Sequence, residues 1–108
     1  MAKIRFIAIE QLLEMMENKE KFKLVEVLGK ESYKDGHIHG AISIPLESLS
    51  DAEKQLKKTD KIVVYCASYS CHASTKAAEM LIRMGFKNVL DFKGSKKLWV
   101  DSGLELEK

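Results

Sequence analysis

Two cysteines five positions apart, Cys66 and Cys71, are the side chains best suited to covalent chemistry. Cys66 ends the apolar run at residues 62–65 and precedes a helical pattern that begins at Ser74. Ligands of a parallel sheet bind at the carboxyl ends of its strands, where the N–H groups of a following helix favour an anion. Helix N-termini lower a thiol pKa from about 8.5 to about 3.5–7.5. The pattern predicts a nucleophile at Cys66; the alternative is a small buried hydrophobe.

Cys71 has two interpretations. As a resolving cysteine it would attack a persulfide or mixed disulfide on Cys66, which requires Cα atoms within about 7 Å. As an ordinary buried cysteine it would only fill the loop. The neighbouring His72 is a candidate proton donor or source of weak positive charge, and the alternative is an exposed loop histidine without an orienting partner.

The residues between the cysteine strand and the next helix form a predicted anion-binding loop. No Glu or Gln lies three residues after Ser70 or Ser74, so no capping box occupies the first N–H groups of the helix. Free N–H groups and serine hydroxyls are donors that an anion can use. Tyr69 is either a wall of the substrate opening or a common exposed tyrosine. The predicted binding residues are Ala67, Ser68, Tyr69, Ser70, Ala73 and Ser74.

The elements that must position this loop alternate along the chain. Apolar periodicity predicts strands near residues 4–7, 22–28, 41–44, 62–65 and 89–91. It predicts helices near residues 9–16, 46–56, 74–84 and 94–101, with a helical turn near Ser32 and a C-terminal cap at Gly85. This alternation predicts an α/β fold with a central parallel sheet of about five strands and helices on both faces.

Composition limits the other functions. At 108 residues and 45% hydrophobic content, the chain is expected to be one domain, residues 1–108. A net charge of +2, with lysines interleaved among acidic residues, argues against a nucleic-acid partner. No apolar run approaches the roughly 20 residues that span a bilayer, and the N-terminus lacks a signal-peptide core. We therefore expect no membrane partner and a cytoplasmic location.

Metal binding is the remaining chemical alternative for the cysteines. Two cysteines in a reducing compartment suit catalysis or metal binding better than a structural disulfide. A zinc site could be assembled from two thiols and three imidazoles, but the two cysteines lack the two-residue spacing of zinc knuckles. The prediction is no metal and no cofactor. The residues considered are Cys66, Cys71, His72, His37 and His39.

Several segments, taken in order, resemble the rhodanese (sulfurtransferase) family from about Ile9 to Glu105. The most specific is residues 32–45, with its Gly-His-Ile-His-Gly-Ala run and a short strand ending in Pro45. The other matching segments are residues 24–27, 62–66, 76–79, 85–89, 92–94, 99 and 103–104. The resemblance implies a rhodanese-like fold with Cys66 as its sulfur-carrying nucleophile. It also implies a structural, hydrogen-bonded His37 and packing of the last helix by Trp99.

The chain departs from the family pattern at two places. The family loop usually runs from the cysteine through four residues to an arginine, whereas Cys71 stands at that position here. Aligning the following helix instead makes this loop about two residues longer and puts Ala73 in the place of the arginine. No arginine or lysine lies between Cys66 and Lys76, so thiosulfate is a doubtful donor. Glu26 and Leu28 stand where the family commonly has aspartate and arginine.

The resemblance implies an enzyme, a rhodanese-like sulfurtransferase that moves sulfane sulfur through a Cys66 persulfide to a thiol or other nucleophile. Its expected partners are a small sulfur donor or low-molecular-weight thiol and, as a further candidate, a protein sulfur acceptor. The alternative is a non-catalytic rhodanese-like binding or redox-sensing module that uses Cys66 and Cys71. Phosphatase or arsenate reductase chemistry is disfavoured, because the loop lacks an arginine to clamp the oxyanion.

Overall fold

Five parallel strands form a single sheet in the computed structural model, which describes residues 3–108. The sheet order is β1-β5-β4-β2-β3, so β4 lies at the centre. Each pair of neighbours is parallel, with Val64 aligned to Val25 on one side and to Asp91 on the other. The predicted parallel sheet is confirmed. The strands are β1 (Arg5–Phe6), β2 (Lys23–Glu26), β3 (Ile42–Ser43), β4 (Lys61–Tyr65) and β5 (Asn88–Asp91).

The helices also follow the predicted order. They are α1 (Ile9–Glu17), α2 (Lys30–Asp35), α3 (Ala73–Arg83) and α4 (Ser95–Asp101). No helix within residues 3–108 is long and apolar enough to cross a bilayer. At the end of α3, Gly85 has φ +101°, and the Phe86 N–H donates to the Leu81 carbonyl at 3.0 Å. A left-handed glycine just past a helix is the expected terminator, so the predicted cap is confirmed.

The segment predicted as an amphipathic helix near residues 46–56 is instead a 3-10 helix, Leu46–Lys54. Its first turn is closed by the Ser48 N–H, which donates to the Pro45 carbonyl at 2.8 Å. Leu46, Leu49 and Ala52 recur every third residue, and a helix with three residues per turn brings them onto one face. Leu49 and Ala52 are buried. The apolar spacing was therefore interpreted with the wrong helical period.

The core lies on both faces of the sheet. Val64 of β4 belongs to one side, where α3 and the 3-10 helix pack through residues such as Leu81 and Leu49. Val63 belongs to the other, where α1 and α4 pack through Leu12 and Trp99. Trp99 is 5% exposed, so its predicted packing role is confirmed. Because neighbouring strand residues point to opposite faces and both faces are covered, β4 is apolar from Ile62 to Tyr65.

The carboxyl ends of β2, β4 and β5 meet at one edge of the sheet, and α3 and α4 begin there. The Thr75 hydroxyl in the first turn of α3 donates to Asp91 Oδ2 at the end of β5, at 2.8 Å. Both ends of the loop between β4 and α3 are thus attached to the sheet. This edge contains the predicted nucleophile.

Candidate active site

Cys66 directly follows β4 and has no exposed surface. Its Sγ lies 3.5 Å from the Cys71 carbonyl oxygen and 3.9 Å from that of Ser68. The Ser95 hydroxyl lies 3.8 Å from the same sulfur. The loop therefore folds back over the cysteine, so that main-chain atoms surround the sulfur.

The start of the loop is held by α4. The Cys66 N–H donates to Ser95 Oγ at 2.9 Å, and the Lys96 N–H donates to the Cys66 carbonyl at 3.3 Å. The next carbonyl, of Ala67, accepts from the Lys97 N–H at 2.9 Å. Ser95 is buried at φ +59°, a left-handed conformation that is rare outside glycine. Its hydroxyl is the acceptor for the N–H of the predicted nucleophile, a role that sequence reasoning missed.

Cys71 is brought against Cys66. It is partly exposed, packs at the border of the core, and receives a hydrogen bond from the Cys66 thiol and from the N–H groups of Ala67 and Ala73. Partial burial raises the pKa of the Cys71 thiol, but these hydrogen bonds and the nearby charge of Lys93 outweigh it and hold the pKa below its ordinary value. The structure places the two free thiols next to each other, and the role of Cys71 as a resolving cysteine stays a prediction.

A cation reaches the loop from elsewhere in the chain. Lys93, in the segment after β5, donates from Nζ to the Cys71 carbonyl at 3.2 Å and lies 5.4 Å from the centre of the Tyr69 ring. Sequence reasoning found no basic residue in the loop and missed this contribution. The available signal was the position of Lys93 just after a strand, because parallel strands end at a common edge.

The other predicted binding residues occupy different environments. The Ser68 and Ser70 hydroxyls lie 3.2 Å apart and bond each other. Tyr69 is 72% exposed and lines an open, largely apolar cleft of about 540 Å³ beside the loop. Ser74 is fully buried, and its hydroxyl has no partner within residues 3–108. The loop therefore directs main-chain N–H groups, rather than its serine hydroxyls, at the sulfur of Cys71.

The three histidines lie outside a common site. His72 is exposed at the start of α3, and its ring makes no hydrogen bond in the described part of the chain, so its catalytic role stays a prediction. His37 has Nδ1 3.0 Å from the Tyr33 carbonyl, which confirms the predicted hydrogen-bonded role. His39 is exposed and pairs with Glu107. Among residues 3–108, no three His, Cys, Asp or Glu side chains are grouped closely enough to share a metal ion.

A second polar cluster lies at the end of β2. The buried Glu26 carboxylate accepts from the Tyr65 hydroxyl at 2.8 Å and pairs with Lys96 Nζ at 3.0 Å. The Ile38 N–H donates to the same Tyr65 oxygen at 3.1 Å, and burial holds the pKa of Tyr65 far above its usual range. Leu28 stands where the family commonly has an arginine. The counter-ion of Glu26 in this protein is Lys96 of α4.

Comparison with known proteins places this fold among the rhodanese-like domains. A family model described as "Rhodanese-like domain" matches residues 8–102. A solved protein from Bacillus halodurans superimposes with a TM-score of 0.88 at 32% identity, covering 95% of this chain and 76% of that one. The rhodanese-like domain of Alr3790 from Anabaena is 34% identical with a TM-score of 0.74, covering 81% of this chain and 99% of that domain.

Curated relatives are more distant in sequence. The thiosulfate sulfurtransferase GlpE of Shewanella oneidensis is 29% identical over 99 residues, which are 92% of this chain and 95% of that protein. YrkF of Bacillus subtilis is 27% identical over 93 residues, and the match covers 86% of this chain but 49% of YrkF. The chain thus spans nearly the full length of one relative and about half of the other.

Proposed function

Since this chain belongs to the rhodanese-like domain family, we propose that it is a sulfurtransferase that carries sulfane sulfur as a persulfide on Cys66. The observation that carries the proposal is the position of Cys66 directly after the central strand, enclosed by a loop and in contact with a second thiol. A relative of similar length, GlpE of Shewanella oneidensis, is named a thiosulfate sulfurtransferase, which supports the reaction class.

The reaction loads sulfur onto the loop and then passes it to an acceptor, by displacement at sulfur. A cysteine thiolate of the loop attacks the outer sulfur of a donor persulfide, a new S–S bond forms, and the donor leaves as a thiolate with the electron pair of its broken S–S bond; the sulfur is held as the Cys66 persulfide. An acceptor thiolate then attacks the outer sulfur on Cys66 and releases the Cys66 thiolate. No net oxidation occurs, so neither half-reaction needs a further redox partner.

The charge of the loop favours a persulfide donor over thiosulfate. A sulfonate group needs strong cationic donors, and an arginine would supply them as a bidentate clamp. The cation next to this loop is Lys93, whose ammonium group is hydrogen-bonded to the Cys71 carbonyl. We therefore propose a low-molecular-weight persulfide as donor, with a thiol or a protein as acceptor. The two free cysteines suit a reducing compartment, so the proposed location is the cytoplasm.

A second candidate function is redox sensing without turnover. The contact between the Cys66 thiol and Cys71 favours it, because neighbouring thiols can close a disulfide when an oxidant is present. In that case the same loop would change shape on oxidation and alter what the domain binds. The two candidates differ in whether sulfur leaves the protein for an acceptor.

The test is sulfur transfer from glutathione persulfide and from thiosulfate to an acceptor thiol. We expect turnover with the persulfide, weak or no turnover with thiosulfate, and at least a tenfold loss in Cys66→Ala, since removal of a covalent nucleophile leaves only non-covalent effects. Ser102→Ala is the control, because it alters an exposed serine after α4, outside the loop. Silence of the wild-type protein with both donors would reject the sulfurtransferase and favour the sensing module.

A further inference from the structure

The two thiols of the loop have different surroundings. The Cys66 sulfur lies against the carbonyl oxygens of Ser68 and Cys71 at 3.9 and 3.5 Å, and the Ser95 hydroxyl lies 3.8 Å away. Carbonyl oxygens only accept hydrogen bonds, so they are partners for the thiol proton of Cys66. The main chain thus covers this sulfur on the side of the loop.

Cys71 is surrounded by donors instead. Its sulfur receives the N–H groups of Ala67 and Ala73 and the thiol proton of Cys66, and the charge of Lys93 lies nearby. Two main-chain N–H groups that point at one sulfur favour negative charge on it. Together with the charge of Lys93, they hold the pKa of the Cys71 thiol below its ordinary value. This environment favours the thiolate of Cys71 as an attacking group.

The two cysteines also differ in their exposure to solvent. Cys66 has no exposed surface, whereas Cys71 is partly exposed. Displacement at sulfur needs the attacking thiolate in line with the bond that breaks, so a donor must reach the attacking sulfur directly. A dissolved persulfide can meet Cys71 in the described conformation, but it cannot meet Cys66.

We propose that Cys71 is the first nucleophile, which takes sulfur from the donor persulfide and passes it to Cys66. This inference rests on the proposed sulfurtransferase function and assigns its first step. The Cys71 thiolate attacks the outer sulfur of the donor; a Cys71–sulfur bond forms, the donor S–S bond breaks, and the donor leaves as a thiolate.

The second step is a transfer between the two cysteines. The Cys66 sulfur attacks the outer sulfur on Cys71, the Cys66 proton passes to the departing Cys71 sulfur, and the products are a Cys66 persulfide and a Cys71 thiol. Atoms and electrons balance without an oxidant. The added sulfur extends Cys66 by about 2 Å toward the partly exposed Cys71. An acceptor can then reach a sulfur that was out of reach on the unmodified cysteine.

The experiment measures where sulfur is first bound. The wild-type protein, Cys71→Ser, Cys71→Ala and Cys66→Ser are mixed with glutathione persulfide, quenched with an alkylating reagent after increasing times, and analysed by peptide mass spectrometry. Ser102→Ala, at an exposed position after α4 and outside the loop, is the control. Circular dichroism confirms that each variant is folded, and the second Cys71 variant separates loss of the thiol from an effect of the new hydroxyl.

We expect Cys66→Ser to bind one sulfur on Cys71 at a rate close to that of the wild type, and both Cys71 variants to bind sulfur at least tenfold more slowly. The rate at which the wild-type protein binds sulfur should rise with pH as the Cys71 thiol ionises. Loading of Cys66 at the wild-type rate in either Cys71 variant, or no loading of Cys71 in Cys66→Ser, would overturn the inference. Absence of sulfur on the wild-type protein would instead reject the proposed function itself.

Discussion

The carboxyl ends of β2 and β4 lie side by side but hold their reactive groups differently. At the end of β2, the Glu26 carboxylate has charge-assisted hydrogen-bond partners at 2.8 and 3.0 Å. At the end of β4, the Cys66 sulfur has only weak contacts between 3.5 and 3.9 Å. Strong, short bonds make an acidic group structural, whereas weak sulfur contacts are easily exchanged. One sheet edge therefore combines a fixed ion pair with a site able to react.

This comparison predicts a separation of effects. Substitutions at the end of β2 should lower the free energy of unfolding and leave the sulfur chemistry of the folded molecules intact. Substitutions around the thiols should change their reactivity with little effect on stability. Ser95 accepts a hydrogen bond from the Cys66 N–H, so its substitution should affect both stability and reactivity.

The largest expected effect is on stability, in Glu26→Ala. Removal of the carboxylate leaves the Lys96 ammonium, 15% exposed, without its counter-ion and should cost about 3–5 kcal/mol of unfolding free energy. Urea denaturation measures it. The control is Lys97→Ala, which breaks the exposed Lys97–Asp101 pair and should cost less than about 1 kcal/mol. Equal losses in the two variants would contradict the structural role of the Glu26 cluster.

Ser95→Ala should have the next largest effect. The variant leaves the buried Cys66 N–H without its acceptor, and a buried unsatisfied donor costs about 1–3 kcal/mol. Denaturation should show this loss, and sulfur loading should slow as well because the start of the loop is released. Ser102→Ala, at an exposed position after α4, is the control. Normal loading in a destabilised Ser95→Ala would assign Ser95 to stability alone.

The buried Tyr65 should make the free energy of unfolding depend on pH in the alkaline range. Burial raises the pKa of Tyr65 in the folded protein, whereas the unfolded chain releases that proton near pH 10. The stabilisation is thus fully present below about pH 10 and falls by about 1.4 kcal/mol per pH unit above it. Tyr65→Phe leaves the buried Ile38 N–H without its acceptor, so it should cost about 1–3 kcal/mol at neutral pH and lack this component of the decline. If the free energy of unfolding fell equally with pH in the wild type and in Tyr65→Phe, the expected effect of burial on Tyr65 would be wrong.

Lys93→Gln should have the smallest effect, and only on reactivity. Loss of the cation raises the pKa of Cys71, and an exposed charge pair of about 0.2–1 kcal/mol corresponds to roughly 1.5- to 5-fold slower alkylation of Cys71 at neutral pH. Salt should reduce the difference between the variant and the wild type. Lys97→Gln is the matched control, and stability should be the same in both variants. Equal alkylation rates of Cys71 in Lys93→Gln and the wild type would show that Lys93 does not influence this thiol.

The sequence was most informative where a signal is local. Alternation of apolar runs and helical spacing placed Cys66 after a strand and ahead of α3. The same signals predicted the parallel sheet and the cap at Gly85, whereas the packing of Trp99 was implied by the family resemblance. Local spacing failed at Leu46–Lys54, where a repeat of three residues was interpreted with the period of an α-helix. Strands and helices depend mainly on neighbouring residues, so their order can be predicted from composition and period.

The partners of the site depended on the tertiary structure. Lys93 and Ser95 follow β5, and they reach the loop because β5 lies next to β4 in the sheet. Lys96 meets Glu26 because α4 lies over the ends of both β4 and β2. The sequence by itself determined the position of Cys66 between a strand and a helix and the elements around it. Only the tertiary structure decided which distant groups surround each sulfur, because strand order and helix packing join residues that are far apart in the chain.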